Sequence, residues 1–289
     1  MKEPISLDFT LTLACNNNCR FCPRSALEPI VATPARALAA IKKAGGCREA
    51  VLTGGEPTTL SSLPAIAAAC RRAGALKTGM ITNGRRLSDL RYLKKLVAAG
   101  VTGFTISLYS HLPAVHDRLT RAKGSCAQTW KGLRNALRVA RGGSISAGVN
   151  MVLCAGNIGT AGTTLRLLKA LGAGSVTLIN LSGPAAAAEI FDYSALRALL
   201  AGLPRGRACP DRLLFRGFPL CLFPAGIAAE NQDIEGAGGV PCARLLGYAG
   251  AFARAFVKPR ALCAGCPETR HCNGLPGSYY RRYGLSGLK

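Results

Sequence analysis

Short apolar segments alternate with amphipathic segments along the first 205 residues. The apolar segments have the β-branched composition of buried strands and predict strands at residues 5–13, 50–53, 77–82, 103–108, 145–153 and 175–181. The segments between them carry apolar residues at helical spacing. Strands that alternate with helices form parallel sheets with right-handed crossovers, and six such units suit an open barrel better than the closed eight-unit form. We therefore predict an α/β fold containing a partial (β/α)6 barrel.

Capping residues predict where several of these helices begin and end. Thr33 before Pro34 is typical of a helix start, and Ser88 and Ser125 are expected to cap two later helices. Gly100 is expected to end the helix that follows Ser88.

The composition and the hydrophobic periodicity of the chain change after about residue 205. Glycine, proline and cysteine become frequent, and the remaining helical signals lie at residues 243–256 and 277–283. A segment with so little apolar periodicity is not expected to fold by apolar burial alone, and a metal site would stabilise it. We predict two domains, a barrel at residues 1–205 and a small cysteine-rich module at residues 206–289.

Composition excludes several classes of protein. Hydrophobic residues make up 49% of the 289 residues, which is too much for a disordered chain. Residues 142–165 and 170–188 lack charge, but glycine and polar residues interrupt both stretches, so neither suits a membrane span. The N-terminal residues show no signal-peptide pattern. We expect a cytoplasmic protein with no membrane partner.

The 13 cysteines fall into two clusters and several single positions. An odd count without an export signal argues against a disulfide framework. Clustered cysteines in a reducing compartment are typical metal ligands, and single ones are small buried apolar residues. Core packing is therefore the expected role of Cys47, Cys70, Cys126 and Cys154.

The first cluster is the segment CNNNCRFC at residues 15–22, directly after the first predicted strand. The thiolates of Cys15, Cys19 and Cys22 can hold three irons of a cubane cluster and leave the fourth iron open to a substrate or cofactor. Zinc is the alternative, but a structural zinc site normally has four ligands, and no fourth cysteine or histidine lies nearby.

This segment closely resembles the CxxxCx-aromatic-C signature of the radical S-adenosylmethionine (radical SAM) superfamily, with Phe21 as the aromatic residue. The GGEP segment at residues 54–57 and the TNG segment at residues 82–84 resemble further motifs of the family, in the same order. The resemblance covers about residues 5–200 and implies that Cys15, Cys19 and Cys22 ligate a catalytic 4Fe–4S cluster. It implies that the residues contacting SAM are Phe21, Gly54, Gly55, Glu56, Pro57, Asn83, Ser107 and Asn150.

The family's chemistry implies a reaction class. The cluster passes one electron to the sulfonium of SAM, and the resulting 5′-deoxyadenosyl radical abstracts hydrogen from a substrate. We expect oxidation, epimerisation or C–X bond formation on a peptide or a polar small molecule. The alternative is a non-catalytic iron–sulfur or zinc protein that binds nucleic acid through a basic surface. The GGEP segment favours the enzyme, because a binding protein has no need to hold the SAM amine.

The second cysteine cluster lies at Cys263, Cys266 and Cys272, with Cys221 and Cys242 upstream. Its spacing resembles the SPASM or Twitch region of radical SAM enzymes. The resemblance implies one auxiliary 4Fe–4S cluster on Cys221, Cys263, Cys266 and Cys272, with Cys242 as the competitor for the role of Cys221. A structural zinc knuckle on four cysteines is the alternative.

Four polar residues follow the fourth predicted strand, namely Tyr109, His111, His116 and Asp117. They are candidates for the substrate entrance, against the plainer possibility that they cap helices, pack or face solvent.

Charge indicates the kind of partner. Lys and Arg number 37 against 14 Asp and Glu, a formal net charge of +23. A basic surface attracts acidic electron donors such as flavodoxin or ferredoxin, and would also suit an acidic substrate. The plainer alternative is that the surplus reflects the composition of an Arg- and Ala-rich proteome. No nucleic-acid-binding signature is present, so we do not expect nucleic acid as a partner.

Overall fold

A computed structural model describes residues 6–22, 33–43, 47–181, 184–203, 210–224, 227–230 and 256–288. Of the predicted helix at 243–256, only residue 256 is among these residues. Cys242 lies outside them. No helix in the described part of the chain is long and apolar enough to cross a membrane.

Eight parallel strands form the main sheet, and their order in the sheet is their order in the chain. They are β1 Ser6–Thr10, β2 Cys47–Thr53, β3 Ala75–Thr82, β4 Gly103–Ser107, β5 Ser146–Leu153, β6 Ser175–Asn180, β7 Arg212–Arg216 and β8 Ala229–Glu230. The first six lie at the six predicted strands. The last two extend the same sheet past residue 205. Because β1 and β8 do not pair in the described residues, the sheet is an open part-barrel, which confirms the predicted fold class.

Helices connect the strands, as the alternating pattern predicts. They are α1 Pro34–Lys43, α2 Leu63–Arg72, α3 Leu90–Ala98, α4 Pro113–Thr120, α5 Ser125–Ala140, α6 Ile158–Leu171, α7 Tyr193–Ala201, α8 Arg260–Cys263 and α9 Gly277–Tyr283. Two short strands, β9 Phe256–Val257 and β10 Leu275–Pro276, form a separate antiparallel pair near the C-terminus.

Two of the four predicted helix boundaries are confirmed. Thr33 Oγ1 accepts a hydrogen bond from the backbone N–H of Arg36 at 3.3 Å, and Gly100 takes the left-handed conformation with φ of 109°. The prediction for Ser88 is wrong. This serine ends a 3₁₀ turn, and the Asp89 carboxylate accepts from the N–H of Arg91 instead.

The prediction that Ser125 caps α5 is also wrong. The capping position is Gly124, whose φ of 79° suits glycine, and Ser125 is the first residue of the helix. The Ser125 hydroxyl donates to Asp117 at 2.9 Å. Asp117 also accepts from the backbone N–H groups of Gly124 and Cys126, so it satisfies the free N–H groups of this helix end from a neighbouring helix.

The four single cysteines are buried, as predicted for core residues. Burial raises the pKa of Cys70 and Cys126 to about 11, and that of Cys154 to about 12. These thiols stay protonated near neutral pH and behave as small apolar side chains.

The C-terminal segment packs on the barrel through aromatic rings. Tyr279 in α9 stacks on Tyr193 at the start of α7, with ring centroids 3.8 Å apart and planes 9° from parallel. The Tyr279 hydroxyl accepts from the N–H of Tyr193 at 3.2 Å and donates to the carbonyl of Ser286 at 2.6 Å. Leu275 and Leu288 are buried in the same core. The described part of residues 206–289 therefore shares the hydrophobic core of the barrel.

Candidate functional site

A cavity of about 290 Å³ opens at the carboxyl ends of strands β1 to β6. In parallel α/β sheets this edge is where ligands bind. Eight of the predicted site residues line the cavity, namely Cys15, Cys19, Phe21, Cys22, Gly54, Gly55, Asn83 and Ser107. They come from the ends of four successive strands, β1 to β4. The fold therefore brings the CNNNCRFC, GGEP and TNG segments together.

Backbone hydrogen bonds hold the loop that carries the three cysteines. The N–H of Asn17 donates to Cys15 Sγ at 3.3 Å, and the N–H of Cys22 donates to the carbonyl of Cys19 at 3.1 Å. Asn18 and Arg20 each donate a backbone N–H at 2.9 Å to the end of α4, to the carbonyls of Thr120 and Leu119. The loop is thus fastened to a helix as well as to its own strand.

An ion pair adds a further connection to this loop. The Arg20 guanidinium contacts the Glu189 carboxylate, which is largely buried in the segment between β6 and α7. The two residues are far apart in sequence, so the pair ties the cysteine loop after β1 to the segment after β6.

The two glycines after β2 let the backbone of this turn approach the chain that leads into Cys15. A Cβ on Gly55 would overlap the carbonyl oxygen of Ala14, and Gly54 has a φ of 137°. The N–H groups of Gly55 and Glu56 donate to the carbonyls of Thr12 and Ala14 at 2.6 and 2.8 Å. Any larger residue at these glycines would push the two segments apart.

Glu56 is fully buried and does not line the cavity. Its carboxylate accepts from the Thr58 N–H at 3.1 Å, from the hydroxyls of Thr58 and Thr82 at 2.6 and 2.7 Å, and from the Asn83 N–H at 2.7 Å. It therefore joins the end of β2 to the turn after β3. Pro57 is buried beside it, in a 3₁₀ turn. A direct contact of Glu56 or Pro57 with SAM remains a prediction.

Asn150 lies on β5, two residues before Val152, which lines the cavity. Asn150 is paired with Ser107 in the register of β4 and β5, and its carbonyl accepts from the N–H of Leu108 at 3.0 Å. Ser107 lines the cavity and Asn150 does not. The predicted contact of Asn150 with SAM is untested by this geometry.

Of the four polar candidates after β4, Tyr109 lines the cavity. Its ring packs edge-on against Phe21 at 5.0 Å and lies nearly parallel to the His116 ring at 5.4 Å. Burial, and next the nearby Cys19 and Cys22, raise the pKa of Tyr109 well above its usual range. His111 and Asp117 do not line this cavity. The His111 ring is hydrogen-bonded to Thr164, and Asp117 caps α5.

Residues at the end of β6 also line the cavity, although no motif marks them in the sequence. Asn180 ends this strand, and its side-chain amide donates to the Tyr193 hydroxyl at 2.8 Å and to the Gly217 carbonyl at 3.0 Å. The signal in the sequence that could have identified Asn180 is a polar residue at the end of an apolar strand.

A second, much smaller cavity of about 30 Å³ lies in the C-terminal segment. Four cysteines line it, and they are the four predicted for the auxiliary cluster, namely Cys221, Cys263, Cys266 and Cys272. Burial, and then the nearby Cys272, raise the pKa of Cys221 and of Cys263. Cys242, the alternative ligand, lies outside the described residues.

The donor sets fit iron–sulfur clusters. In the described part of the chain, no group of three or more His, Cys, Asp or Glu side chains is arranged around one metal ion. A 4Fe–4S cluster binds each thiolate at a different iron, so it does not require such a group. Three thiols line the larger cavity beside the glycine turn, and four thiols surround the smaller one.

Comparison with protein families identifies the class of protein. The model of the Radical SAM superfamily matches residues 9–154, about half of the chain, and the chain belongs to this superfamily. It is therefore an enzyme of a family that uses a 4Fe–4S cluster and SAM. The expected enzyme class is confirmed, and the non-catalytic alternative is wrong.

Curated relatives share part of this region. A "Probable GTP 3',8-cyclase" of Sulfolobus acidocaldarius is 35% identical over 123 residues, which cover 41% of this chain and 39% of the relative. A "7,8-dihydro-6-hydroxymethylpterin dimethyltransferase" of Methanocaldococcus jannaschii is 33% identical over 105 residues, covering 34% of this chain and 21% of the relative. The alignments thus span well under two thirds of these relatives.

Solved structures share the fold at low sequence identity. Streptococcus suis SuiB bound to the precursor peptide SuiA aligns with a TM-score of 0.54 and 19% identity, over 68% of this chain and 45% of that one. The FeFe-hydrogenase maturase HydG from Carboxydothermus hydrogenoformans aligns with a TM-score of 0.53 and 17% identity, over 78% and 57% of the two chains. These likenesses support the part-barrel architecture.

Proposed function

We propose that this enzyme cleaves SAM reductively in the larger cavity and abstracts hydrogen from a substrate bound there. The observation that carries the proposal is the convergence of Cys15, Cys19 and Cys22 with the Gly54–Gly55 turn, Asn83 and Ser107 around one cavity. Three thiols for three irons, an open fourth iron and a turn whose backbone faces the same space are the requirements for holding SAM at a cluster.

The bound cluster would supply one electron to the sulfonium of SAM, which gives methionine and a 5′-deoxyadenosyl radical. The protein's own groups orient the reactants and keep water out. Phe21 and Tyr109 form an apolar wall beside the cysteines, and Leu181 and Val152 extend it. Such a wall shields a reactive radical from solvent.

For SAM binding, we propose that the residues lining the cavity make the direct contacts. These are Phe21, Gly54, Gly55, Asn83 and Ser107. Glu56 and Asn150 support these residues from neighbouring positions, because the Glu56 carboxylate binds the N–H of Asn83 and Asn150 pairs with Ser107, and Pro57 is buried next to Glu56.

We propose that the substrate is a polar small molecule carrying a nitrogen heterocycle. The names of two curated relatives refer to GTP and to a pterin, and both alignments exceed 30% identity. The net charge of +23 suits an anionic substrate such as a nucleotide. GTP is accordingly the first substrate to test.

We propose one auxiliary 4Fe–4S cluster on Cys221, Cys263, Cys266 and Cys272. The support is their placement around one small cavity, although Cys221 lies more than 40 residues from the other three in sequence. In this proposal residues 1–205 form the radical SAM core and residues 206–289 the auxiliary module. The electron donor is proposed to be a small acidic redox protein of the flavodoxin or ferredoxin type.

The number of irons and sulfides per chain after anaerobic reconstitution tests the proposal. We expect about eight irons in the wild type, falling to about four in the Cys15/Cys19/Cys22→Ala variant and to about four in the Cys263/Cys266/Cys272→Ala variant. The first variant should lose SAM cleavage. As a control, the single variant Cys47→Ala removes a buried cysteine at the start of β2, the strand end opposite the larger cavity, and should keep its iron.

Each alternative has a distinct result. About four irons with one zinc would replace the auxiliary cluster by a structural zinc site. No iron in the wild type would refute the proposed function.

The substrate proposal needs its own measurement. The reconstituted enzyme is incubated with SAM, a reductant and GTP, and 5′-deoxyadenosine is assayed for deuterium transferred from labelled GTP. Transfer of deuterium is the expected result. SAM cleavage that is indifferent to GTP, without transfer, would exclude GTP while leaving the enzyme class intact.

A further inference from the structure

Arg85, in the 3₁₀ turn after β3, reaches back to the cysteine loop. Its guanidinium donates from Nη1 to the carbonyl oxygen of Asn16 and, at 2.9 Å, to Asn17 Oδ1. Its Nε donates to Gln128 Oε1 at 2.6 Å, on α5. One cation therefore binds the two residues that directly follow Cys15.

The same turn approaches the sulfur of Cys15. Asn83 Nδ2 donates to Asn16 Oδ1 at 2.6 Å and lies 3.9 Å from Cys15 Sγ. On the same side chain, Oδ1 accepts from the N–H of Arg85 at 3.1 Å. The N–H of Asn17, whose side chain binds Arg85, donates to Cys15 Sγ at 3.3 Å. Arg85 thus fixes the groups that donate hydrogen bonds to this thiolate.

No carboxylate among the described residues forms an ion pair with Arg85. The charge of Arg85 also acts on the buried His116, whose pKa is lowered to about 4. Burial is the largest cause of this shift, Asp117 opposes it and Arg85 adds to it.

We propose that Arg85 is a positioning residue that raises the reduction potential of the cluster ligated by Cys15, Cys19 and Cys22. The proposal rests on the proposed function for the presence of that cluster. Reduction adds one negative charge to the cluster, so a nearby cation stabilises the reduced form. Hydrogen bonds to cluster sulfurs act in the same direction, and Arg85 holds the loop that provides them.

The test is the midpoint potential of the catalytic cluster, measured by redox titration with EPR detection on the reconstituted enzyme. Three variants each lower the net charge by one. Arg85→Gln removes the cation, and Gln128→Glu places a carboxylate against Arg85 Nε while keeping the arginine. Arg86→Gln is the matched control, because Arg86 binds the Thr58 carbonyl and lies 4.3 Å from the Tyr92 ring centroid, away from the cysteine loop.

We expect wild-type iron content in all three variants. The potential should shift to more negative values in Arg85→Gln and Gln128→Glu, and stay at the wild-type value in Arg86→Gln. Gln128→Glu keeps the proposal testable if Arg85→Gln assembles poorly, since it changes the charge without removing the hydrogen bonds of the guanidinium to the loop.

Three results would overturn the proposal. An unchanged potential in Gln128→Glu with full iron would show that the charge of Arg85 does not reach the cluster. Equal shifts in all three variants would show a general effect of net charge. Loss of iron in Arg85→Gln with an unchanged potential in Gln128→Glu would reduce Arg85 to a structural role. By contrast, absence of iron from the wild type would refute the proposed function itself.

Discussion

His116 is fully buried behind the wall of the larger cavity, and its two ring nitrogens have different environments. Nδ1 accepts a hydrogen bond from the N–H of Tyr109 at 3.2 Å, whereas Nε2 has no hydrogen-bond partner among the described residues. The ring lies against that of Tyr109 and so supports a residue that lines the cavity. Burial keeps this histidine neutral and lowers its pKa from 6.5 to about 4.

The neutral His116 predicts a loss of stability between neutral and mildly acidic pH. The pKa of His116 is lower in the folded state than in the unfolded state. Its contribution to the unfolding free energy is therefore fully present above pH 6.5. It is lost as the pH falls toward about 4, because in this range only the unfolded state takes up the proton. The full effect is about 3 kcal/mol. Denaturant unfolding of wild type and His116→Asn at several pH values checks this.

The variant should show a shallower loss of unfolding free energy over this pH range, whatever its stability at neutral pH. Parallel pH profiles for the two proteins would contradict the assigned role, because all other titrating groups are common to both.

At the scale of elements, α5 determines the position of the turn after β3. A Cβ on Gly132 in this helix would overlap the carbonyl oxygen of Gly84. The Thr129 hydroxyl donates to the carbonyl of Asn83 at 2.9 Å, and the Asn135 amide donates to the carbonyl of Leu87 at 2.9 Å. Helix α5 therefore fixes both Asn83 and, through it, the groups around Cys15.

The variant Gly132→Ala should displace this turn. Because the clash is with backbone, we expect a loss of about 1–3 kcal/mol in unfolding free energy, together with weaker SAM binding. Thermal or denaturant unfolding and equilibrium SAM binding measure the two effects.

Gly159→Ala is the matched control for this substitution. Gly159 is also in a helix, α6, and a Cβ there meets nothing within 4 Å. Removing a flexible glycine from an open helical position should leave stability unchanged or raise it by up to about 1 kcal/mol. Equal losses in both variants would show that the close approach of Gly132 to Gly84 is unimportant.

At the scale of the whole molecule, the net charge of +23 predicts electrostatic attraction of the proposed acidic electron donor. With an acidic flavodoxin as donor, we expect the rate of SAM cleavage to fall steeply as ionic strength rises from about 0.05 to about 0.5 M, because salt screens the attraction. Single-turnover cleavage by enzyme that has already been reduced should be much less sensitive. The same salt dependence in both assays would show that salt acts on the enzyme rather than on the encounter.

The fold could be predicted well where the signal was local. Alternating apolar and amphipathic segments located the first six strands within a few residues, and three of the six strand ends that line the cavity carried a recognisable motif. The strands β7 and β8 were not predicted, because β8 has only two residues and both follow the change in composition. The caps at Asp89 and Gly124 were missed because neighbouring serines are equally good caps by residue type.

Cysteine spacing and strand–helix alternation are properties of short stretches of chain, so the class of this protein could be recognised from the sequence. Contacts between residues distant in sequence depend on the tertiary structure. It turned the Glu56 carboxylate inward to bind Thr58, Thr82 and Asn83, and it brought Asn180 to the cavity. It also placed the Arg85 cation on the two residues after Cys15, nearly 70 positions away, a contact that only the packing of neighbouring strand ends creates.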